Sequence, residues 1–264
     1  MSRSSPAGRW LPAPSTGVDE AAVRLLCVSY SGVGASSFNA WPQRLGPVEI
    51  VRVQPPGREN RISEPHYGTF EDFAAGLIEE LQPVADRPFA LLGHCSGALA
   101  AYETAVQLQR SGLPGPQLLV VSSQVAPQDG PYGRFLGMDD LQLREEVIAS
   151  TRRRGVRPNP GVVDLSVEVL RADVEANRSY RRPAPELLVG TPVLALGWAE
   201  DAEIEPWRMS GWRECATDMR RAHLPGGHDS IFEAPDSLMA LLSAGLSAPR
   251  RAETPAGRPP LSEG

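Results

Sequence analysis

The segment Pro88–Glu103, PFALLGHCSGALAAYE, constrains the fold more than any other stretch of the chain. A short apolar run ends at Gly93, and a pattern of small residues typical of a tightly packed helix follows Gly97. Glycines two positions before and after Cys95 are typical of the nucleophile elbow, in which the central residue adopts a strained backbone and nearby side chains must be almost absent. The segment therefore predicts a strand, a sharp turn and a helix, with a reactive side chain at the turn.

Two adjacent residues, Cys95 and Ser96, compete for the central position of this elbow. If Ser96 were central, the residues two positions away would be His94 and Ala98, and a histidine fits poorly where the turn needs almost no side chain. The glycine spacing therefore favours Cys95 as the nucleophile. The alternative, an inert buried cysteine, leaves the paired glycines unexplained.

Short apolar runs alternate with longer helical patterns along the chain, and such runs are typical of strands buried on both faces of a parallel sheet. Phe70–Ala85 carries apolar residues at helical spacing and carboxylates in its first turn, which predicts the helix before the elbow strand. With 264 residues and 41% hydrophobic content, the chain can bury one sizeable core. We predict one doubly wound α/β domain over residues 21–248, with helices on both faces of a mostly parallel sheet. The predicted strands are Val23–Val28, Val48–Val53, Phe89–Leu92, Gln117–Val121 and Pro192–Leu196.

One segment, residues 130–185, interrupts this alternation because it contains no strand-like run. Two helical patterns occur there, Asp139–Arg154 and Asp164–Tyr180, separated by GVRPNPG. A helical insertion between strands, on the carboxyl side of the sheet, would lie over the elbow as a lid. Ordinary crossover helices are the alternative, and the length of the segment favours the lid.

Composition and charge exclude several classes of protein. The net charge of −6 argues against a nucleic-acid binder, whose surface is usually basic. The three cysteines form no C-x-x-C pair and have no histidine at ligand spacing, so we expect neither a disulfide framework nor a metal site. No signal peptide and no membrane-spanning apolar run is present, so we expect a cytoplasmic protein that binds no membrane. Residues 1–20 and 249–264 are rich in small residues and proline, and we expect them to be disordered tails.

An elbow nucleophile needs a histidine base and an orienting acid, in the chain order nucleophile, acid, base. The chain has four histidines, and His228 lies on a glycine-rich loop between the last predicted strand and a terminal helix. His94 adjoins the nucleophile and is expected to point away from it, His66 lies upstream, and His223 lies in the predicted strand RRAHL. The predicted base is therefore His228.

The loop after Pro192–Leu196 reads GWAEDAEIEP, and its candidate carboxylates are Glu200, Asp201 and Glu203. The orienting acid must lie at the carboxyl end of the strand and reach the outer nitrogen of the imidazole. Asp201 fits this position best, with Glu200 as its rival.

The oxyanion hole of an elbow enzyme combines the backbone N–H of the residue after the nucleophile with one from the loop after the first strand. The first donor is therefore the N–H of Ser96. The loop reads SYSGVGASSF, and its glycines suit a backbone turned inward. We assign the second donor to Ser31, with Gly32 as the nearest rival.

The chain resembles the type II thioesterases that accompany modular polyketide and nonribosomal peptide synthetases, a branch of the α/β-hydrolases. The resemblance covers about residues 25–242, in the segments VQPPGRENRISEP, GHCSGA, LRADVEANRSYRRPAPELL, TPVLALGWAED and PGGHDSIFE. It implies an α/β-hydrolase fold in which Cys95, Asp201 and His228 fall on the family's triad. It also implies hydrolysis of acyl, aminoacyl or peptidyl thioesters on the phosphopantetheine arm of carrier proteins, by a monomer with no cofactor of its own.

Three residues depart from the family pattern: Cys95 replaces the serine of GHSMGA, Tyr30 replaces the histidine of PHAGG, and Ala202 replaces a proline. Thiol attack on a thioester gives a second thioester that stays reactive toward amines. Acyl transfer to an amine or thiol acceptor is therefore one alternative to hydrolysis. A catalytically silent carrier-binding module is another, and a general esterase a third, although an esterase leaves PGRENR and the lid ending unexplained.

Arginines cluster around the predicted lid. Carrier proteins of this family are usually acidic, so the cluster is a candidate docking surface, while a solvated charged face is the simpler alternative. The cluster consists of Arg152, Arg153, Arg154, Arg181 and Arg182.

Overall fold

The chain folds around a seven-stranded sheet with the strand order β2-β3-β1-β4-β5-β6-β7. The computed structural model describes residues 10–11, 21–81, 87–153 and 155–247. Six strands run parallel, and the short β2 is antiparallel to β3. The strands are β1 (Val23–Val28), β2 (Arg44–Leu45), β3 (Val48–Arg52), β4 (Phe89–His94), β5 (Leu119–Ser122), β6 (Val193–Trp198) and β7 (Met219–Leu224). The helices are α1 (Phe70–Leu81), α2 (Ser96–Arg110), α3 (Asp140–Arg153), α4 (Pro160–Ser179) and α5 (Asp236–Ser247).

The central strands are buried on both faces, which explains their continuous apolar sequences. Neighbouring residues of β4 belong to different cores: Leu91 packs with α1 and α2, whereas Leu92 packs with α5. Burying a leucine side chain stabilises a fold by about 1.5–3 kcal/mol, so both faces of such a strand favour the sheet. The predicted α/β architecture with helices on both faces is confirmed.

The helical insertion between β5 and β6 consists of α3 and α4, close to the predicted helices. These two helices share a small core of their own, formed by Leu143, Val163, Val167, Leu170 and Val174. Leu170 also contacts Gly32 in the loop that follows β1. Because β1 lies beside the elbow strand β4, this contact places α4 at the carboxyl end of the sheet, near the elbow.

The predicted disordered N-terminal tail includes two residues that pack on the core. Trp10 is buried, its ring lies 5.1 Å from that of Phe73, and its carbonyl accepts the N–H of Gln54 at 2.8 Å. Leu11 is buried beside it, so the prediction of disorder does not hold for these two apolar residues. The other residues of both predicted tails lie outside the described residues. In the described part of the chain, no helix combines the length and apolar character needed to cross a membrane.

Candidate active site

Cys95 occupies the sharp turn between β4 and α2, where φ is 51° and ψ is −127°. Such a backbone costs a residue with a side chain about 1–3 kcal/mol. A Cβ atom on Gly93 would lie 2.1 Å from the carbonyl oxygen of Gly97, and one on Gly97 would lie 2.3 Å from that of Ser29. The two glycines are therefore required by close backbone approach, and the strained turn residue is Cys95 rather than Ser96.

Asp201 and His228 meet at the carboxyl ends of β6 and β7. The Nδ1–H of His228 donates to Asp201 Oδ2 at 3.0 Å, with Oδ1 at 3.2 Å. Asp201 Oδ1 also accepts the backbone N–H groups of Glu203 at 2.9 Å and Ile204 at 3.0 Å. Burial alone would raise the pKa of Asp201, but the bonds to His228 and Ile204 outweigh it and lower this pKa to about 2. The carboxylate is therefore ionised at neutral pH and directs Nε2 of the imidazole away from itself.

His228 also hydrogen-bonds the side chain of Cys95, which joins the three predicted triad residues in one chain of contacts. Burial alone would lower the pKa of His228, but the hydrogen bonds with Asp201 and Cys95 raise this pKa to about 11. His228 is therefore a positively charged imidazolium at neutral pH. An imidazolium beside a cysteine favours the thiolate, which is the nucleophilic form.

The imidazole packs against a buried histidine. The ring of His94 lies 4.7 Å from that of His228, and its Nδ1 lies 3.1 Å from the hydroxyl of Ser122. Burial, reinforced by the nearby charge of His228, lowers the pKa of His94 well below its usual value. Trp198 Nε1–H donates to the same hydroxyl at 3.1 Å. The uncharged ring of His94 is therefore held in place beside the imidazole of His228.

The two predicted oxyanion donors lie close together. Ser31 Oγ donates to Ser96 Oγ at 2.9 Å, which joins the loop after β1 to the start of α2. The rival donor, the N–H of Gly32, is already bonded to Asp173 Oδ2 at 2.7 Å. Within the described ranges, the backbone N–H groups of Ser31 and Ser96 have no protein acceptor and remain available to a ligand.

A second carboxylate, considered from the sequence only as a candidate orienting acid, faces the other side of the imidazole. Glu203 Oε2 lies 3.7 Å from His228 Nε2, and Glu203 Oε1 pairs with Arg134 Nε at 2.9 Å. Burial raises the pKa of Glu203. Asp201, rather than either glutamate of this loop, forms the close contact with Nδ1.

A buried ionic cluster, which sequence analysis missed, lies beneath the lid. We call it the Asp173 cluster, because the Asp173 carboxylate, 1% exposed on α4, accepts all of its hydrogen bonds. Arg58 donates through both terminal nitrogens at 2.8 Å, and the N–H of Gly32 donates at 2.7 Å. The hydroxyl of Tyr67 donates at 2.6 Å, and His66 Nε2 lies 2.7 Å from the carboxylate. His66, which its position in the sequence argues against as the base, thus contacts Asp173 of α4.

The sequence carried a signal for this cluster. Asp173 lies three residues after Leu170 and one before Val174, on the apolar face of a predicted helix. A carboxylate in that position is buried on folding and needs a charged partner. The partner, Arg58, belongs to the PGRE segment, 115 residues earlier in the chain.

A narrow cleft lies between the elbow and the Asp173 cluster. Tyr30, which occupies the expected histidine position, lines it and packs 5.1 Å from the ring of Phe232. The remaining lining is mostly apolar, from Val28, Pro55, Tyr67, Phe70, Phe73 and Ala100, with Ser29, Ser96, Gly97, Arg58 and Asp173. Across the described part of the chain, no group of three or more His, Cys, Asp or Glu side chains is arranged to hold a metal ion.

Comparison with known sequences shows similarity over almost the whole described region. The family model of the thioesterase domain matches residues 23–245. The AMB antimetabolite synthetase AmbE of Pseudomonas aeruginosa is 33% identical over 233 residues, which cover 85% of this chain and 11% of AmbE. The gramicidin S biosynthesis protein GrsT of Aneurinibacillus migulanus is 30% identical over 225 residues, 81% of this chain and 85% of GrsT. The chain thus spans a small part of AmbE and most of GrsT.

Solved structures give the same result for the fold. RedJ, a thioesterase from the prodiginine biosynthetic pathway of Streptomyces coelicolor, matches with a TM-score of 0.73 and 33% identity, covering 93% of this chain and 96% of RedJ. The type II thioesterase BorB from the borrelidin biosynthetic cluster matches with a TM-score of 0.75 and 25% identity, covering 92% of this chain and 99% of BorB. The predicted α/β-hydrolase fold is therefore confirmed.

Proposed function

Because this chain belongs to the thioesterase family and is a thioester hydrolase of the type II group, we propose that it works through an acyl-enzyme on Cys95. Its proposed substrates are acyl, aminoacyl or peptidyl thioesters on the phosphopantetheine of carrier proteins in polyketide or nonribosomal peptide biosynthesis. The observation that carries this proposal is the strained turn at Cys95 beside a histidine that hydrogen-bonds both the thiol and a buried aspartate. The pathway names of RedJ, BorB and GrsT support the substrate class.

Acylation begins when Cys95 Sγ attacks the carbonyl carbon of the bound thioester. As the tetrahedral intermediate collapses, its bond to the pantetheine sulfur breaks and the Nε2 proton of His228 passes to that sulfur. Asp201 stays ionised throughout, because its role is to hold the imidazole tautomer and stabilise the imidazolium. The products of this half-reaction are acyl-Cys95 and a free pantetheine thiol.

The negative charge on the carbonyl oxygen is proposed to be stabilised by the N–H groups of Ser31 and Ser96. The hydroxyl–hydroxyl bond of 2.9 Å between these residues supports this assignment, because it fixes one donor relative to the other. Removing one such donor from an enzyme costs about 10²–10³ in rate.

Deacylation decides between hydrolysis and transfer. In hydrolysis, His228 Nε2 takes a proton from water as the water attacks, and the carboxylic acid leaves with Cys95 restored. An acyl-cysteine is itself a thioester, so it stays reactive toward amines as well as water. The cysteine at the elbow therefore favours acyl transfer to an amine or thiol as the second candidate activity.

The acyl group is proposed to enter along the narrow cleft beside Ser96, which must widen to admit it. Four aromatic residues in the lining suit an apolar chain, and the phosphopantetheine arm would remain outside the cleft. No cofactor of the enzyme is needed, because phosphopantetheine belongs to the substrate.

Carrier docking is proposed at Arg152 and Arg181, at opposite ends of the antiparallel pair α3 and α4, rather than at the whole predicted arginine cluster. Arg153 pairs with Glu146 at 3.0 Å, and Arg182 pairs with buried Glu103 at 3.2 Å, so their charges are partly neutralised. Within the described ranges, Arg152 and Arg181 are exposed and form no ion pair, whereas Arg154 lies outside those ranges.

The proposal is tested by incubating an acyl-pantetheine thioester with the wild type, Cys95→Ala and Ser96→Ala, and following turnover and intact mass. The wild type should gain one acyl group and release acid, and Cys95→Ala should do neither. Ser96→Ala should keep a reduced turnover, because its backbone N–H remains while the hydroxyl bond to Ser31 is lost. Loss of turnover in Ser96→Ala but not in Cys95→Ala would contradict the assignment.

Added amines distinguish the candidate activities. Faster release of the acyl group as an amide would favour transfer, whereas an unchanged yield of acid would favour hydrolysis. A wild type that binds carrier protein but neither turns over nor acquires an adduct would instead be a silent binding module. Oxoester turnover faster than thioester turnover would indicate a general esterase.

A further inference from the structure

The loop that carries Ser31 is held directly by the lid. The next residue, Gly32, donates its N–H to Asp173 on α4 at 2.7 Å. The residue after that, Val33, accepts a hydrogen bond at 3.1 Å from Arg58, the ionic partner of Asp173. Two consecutive residues of the loop are therefore attached to one buried ion pair.

Van der Waals contact reinforces these bonds. Gly32 has a φ of +82°, and a Cβ atom at this position would lie 3.2 Å from Leu170 Cδ1 of α4. Leu170 and Asp173 are neighbours on one face of the helix, at i and i+3. The loop therefore fits against α4 with no room for a side chain, and it would have to shift if α4 moved.

The ion pair has one well-defined geometry. Asp173 and Arg58 are 1% and 4% exposed, and their contact is bidentate, with both bonds at 2.8 Å. Burial alone would raise the pKa of Asp173, but Arg58 and His66 outweigh it and hold this pKa far below its usual range. Because a buried charge left without its partner is strongly destabilising, the carboxylate keeps this position while the lid is closed.

We propose that Asp173 is a positioning residue for the oxyanion hole. By accepting the N–H of Gly32 it fixes the backbone immediately after Ser31, so that the lid helix α4 completes the site that receives the carbonyl oxygen. This inference rests on the proposed role of Ser31 in the reaction. Displacement of α4 from the loop releases Gly32, and the enzyme then loses oxyanion stabilisation while the contact between Cys95 and His228 remains.

Two reactions of Cys95 distinguish a defect in the oxyanion hole from a defect in the contact between Cys95 and His228. Thioester acylation passes through a tetrahedral oxyanion, so it needs the loop. Alkylation by iodoacetamide displaces iodide at a saturated carbon and forms no oxyanion, so it reports on the thiolate and His228 alone. A change confined to acylation therefore identifies a defect in the oxyanion hole.

The test compares Asp173→Asn with His66→Leu, using an acyl-pantetheine thioester and iodoacetamide as probes. In the wild type, Oδ1 receives three of the five hydrogen bonds and Oδ2 receives those of Gly32 and Arg58 Nη1. The amide oxygen is expected on the Oδ1 side, so the NH₂ group faces Gly32 and breaks the bond to the loop. His66→Leu removes one contact of the same cluster, on the Oδ1 side, and leaves the bond between Gly32 and Oδ2 intact.

Asp173→Asn should acylate about 10- to 100-fold more slowly than the wild type, with a kcat loss larger than any change in KM. Its alkylation rate should stay within about twofold, and His66→Leu should change neither rate by more than that. Wild-type acylation by Asp173→Asn, or a parallel fall of both rates, would overturn the inference.

If Asp173→Asn does not fold, Gly32→Ala tests the same coupling between lid and loop. Gly32→Ala keeps the ion pair of Asp173 with Arg58 but pushes the loop away from Leu170, so it should also lose acylation selectively. Unchanged acylation in Gly32→Ala would refute the coupling between lid and loop. A wild type that alkylates at Cys95 but never acylates would instead refute the proposed function.

Discussion

Replacing Gly97 with alanine should reduce activity far more than stability. The added Cβ atom would lie 2.3 Å from the carbonyl oxygen of Ser29 and 2.7 Å from that of Val28. Carbon–oxygen contacts in folded proteins rarely fall below about 3.3 Å, so the end of β1 must move by about 1 Å. Overpacking of this size typically costs about 1–3 kcal/mol, part of which the better helix propensity of alanine offsets.

The effect on activity is larger because Ser29 lies two residues before Ser31 in the proposed oxyanion loop. A misplacement of about 1 Å in a catalytic site can cost about 10²-fold in rate. We therefore expect Gly97→Ala to lose about 1–2 kcal/mol in free energy of unfolding and about 100-fold in acylation rate. Urea unfolding measures the first quantity, and the rate of appearance of the acyl-Cys95 mass measures the second.

Gly137→Ala is the matched control, because a Cβ atom there meets nothing within 4 Å. It should change the free energy of unfolding by less than about 0.5 kcal/mol and leave acylation unaltered. If Gly97→Ala acylates at the wild-type rate, the close approach of α2 to the end of β1 does not position the site, and the explanation given for the elbow glycine is wrong.

Three further predictions concern charge. Asp201→Asn removes the first of three groups, with Cys95 and Glu203, that raise the pKa of His228 from 6.5 to about 11. The wild-type advantage in free energy of unfolding should be complete between pH 3.8, above which Asp201 is ionised in the folded and unfolded chain, and pH 6.5. It should decrease toward pH 11, because protonation of His228 is lost over this range. Glu203→Gln removes the charge that lies 3.7 Å from His228 Nε2 and helps to raise the pKa of His228. The midpoint of the pH profile for iodoacetamide alkylation of Cys95 should therefore move to lower pH. Glu200→Gln, a change at an exposed residue of the same loop, should leave that profile unchanged. Reversing the charges of Arg152 and Arg181 together should raise KM for carrier-bound substrate by about fivefold and leave small thioesters unaffected, whereas equal effects on both substrates would contradict docking at these arginines.

The central sheet was predictable because burial on both faces leaves a simple pattern. All five strands expected from continuous apolar runs are present, with ends that differ by at most two residues. The short strand β2 was missed, since its two residues, Arg44 and Leu45, form an antiparallel pair with β3 and carry no apolar run. Trp10 was assigned to a tail because its neighbours are small and polar, although its own ring fills a gap against α1.

The site was predictable to the extent that local backbone geometry determines it. The spacing of Gly93 and Gly97 locates the turn at Cys95, because only the absence of Cβ atoms permits that backbone approach. The contacts of Glu203 and Asp173 were not predictable, since each depends on how a loop or helix lies over the sheet. The sequence nevertheless indicates that Asp173 needs a partner, because it is a charged residue on the apolar face of α4. That partner, Arg58, lies outside the helix.

In the proposed mechanism, two buried carboxylates act on Cys95, each through another group. Asp201 would act through the imidazole of His228 and set its protonation, whereas Asp173 would act through the backbone of Gly32 and set the position of the proposed oxyanion loop. Asp201 is carried by the loop after β6, which belongs to the sheet, but Asp173 is carried by the lid. An opened lid should therefore leave a reactive cysteine that is slow to accept acyl groups. Such an enzyme would be protected from premature acylation until the lid closes, although its thiol would remain open to alkylation.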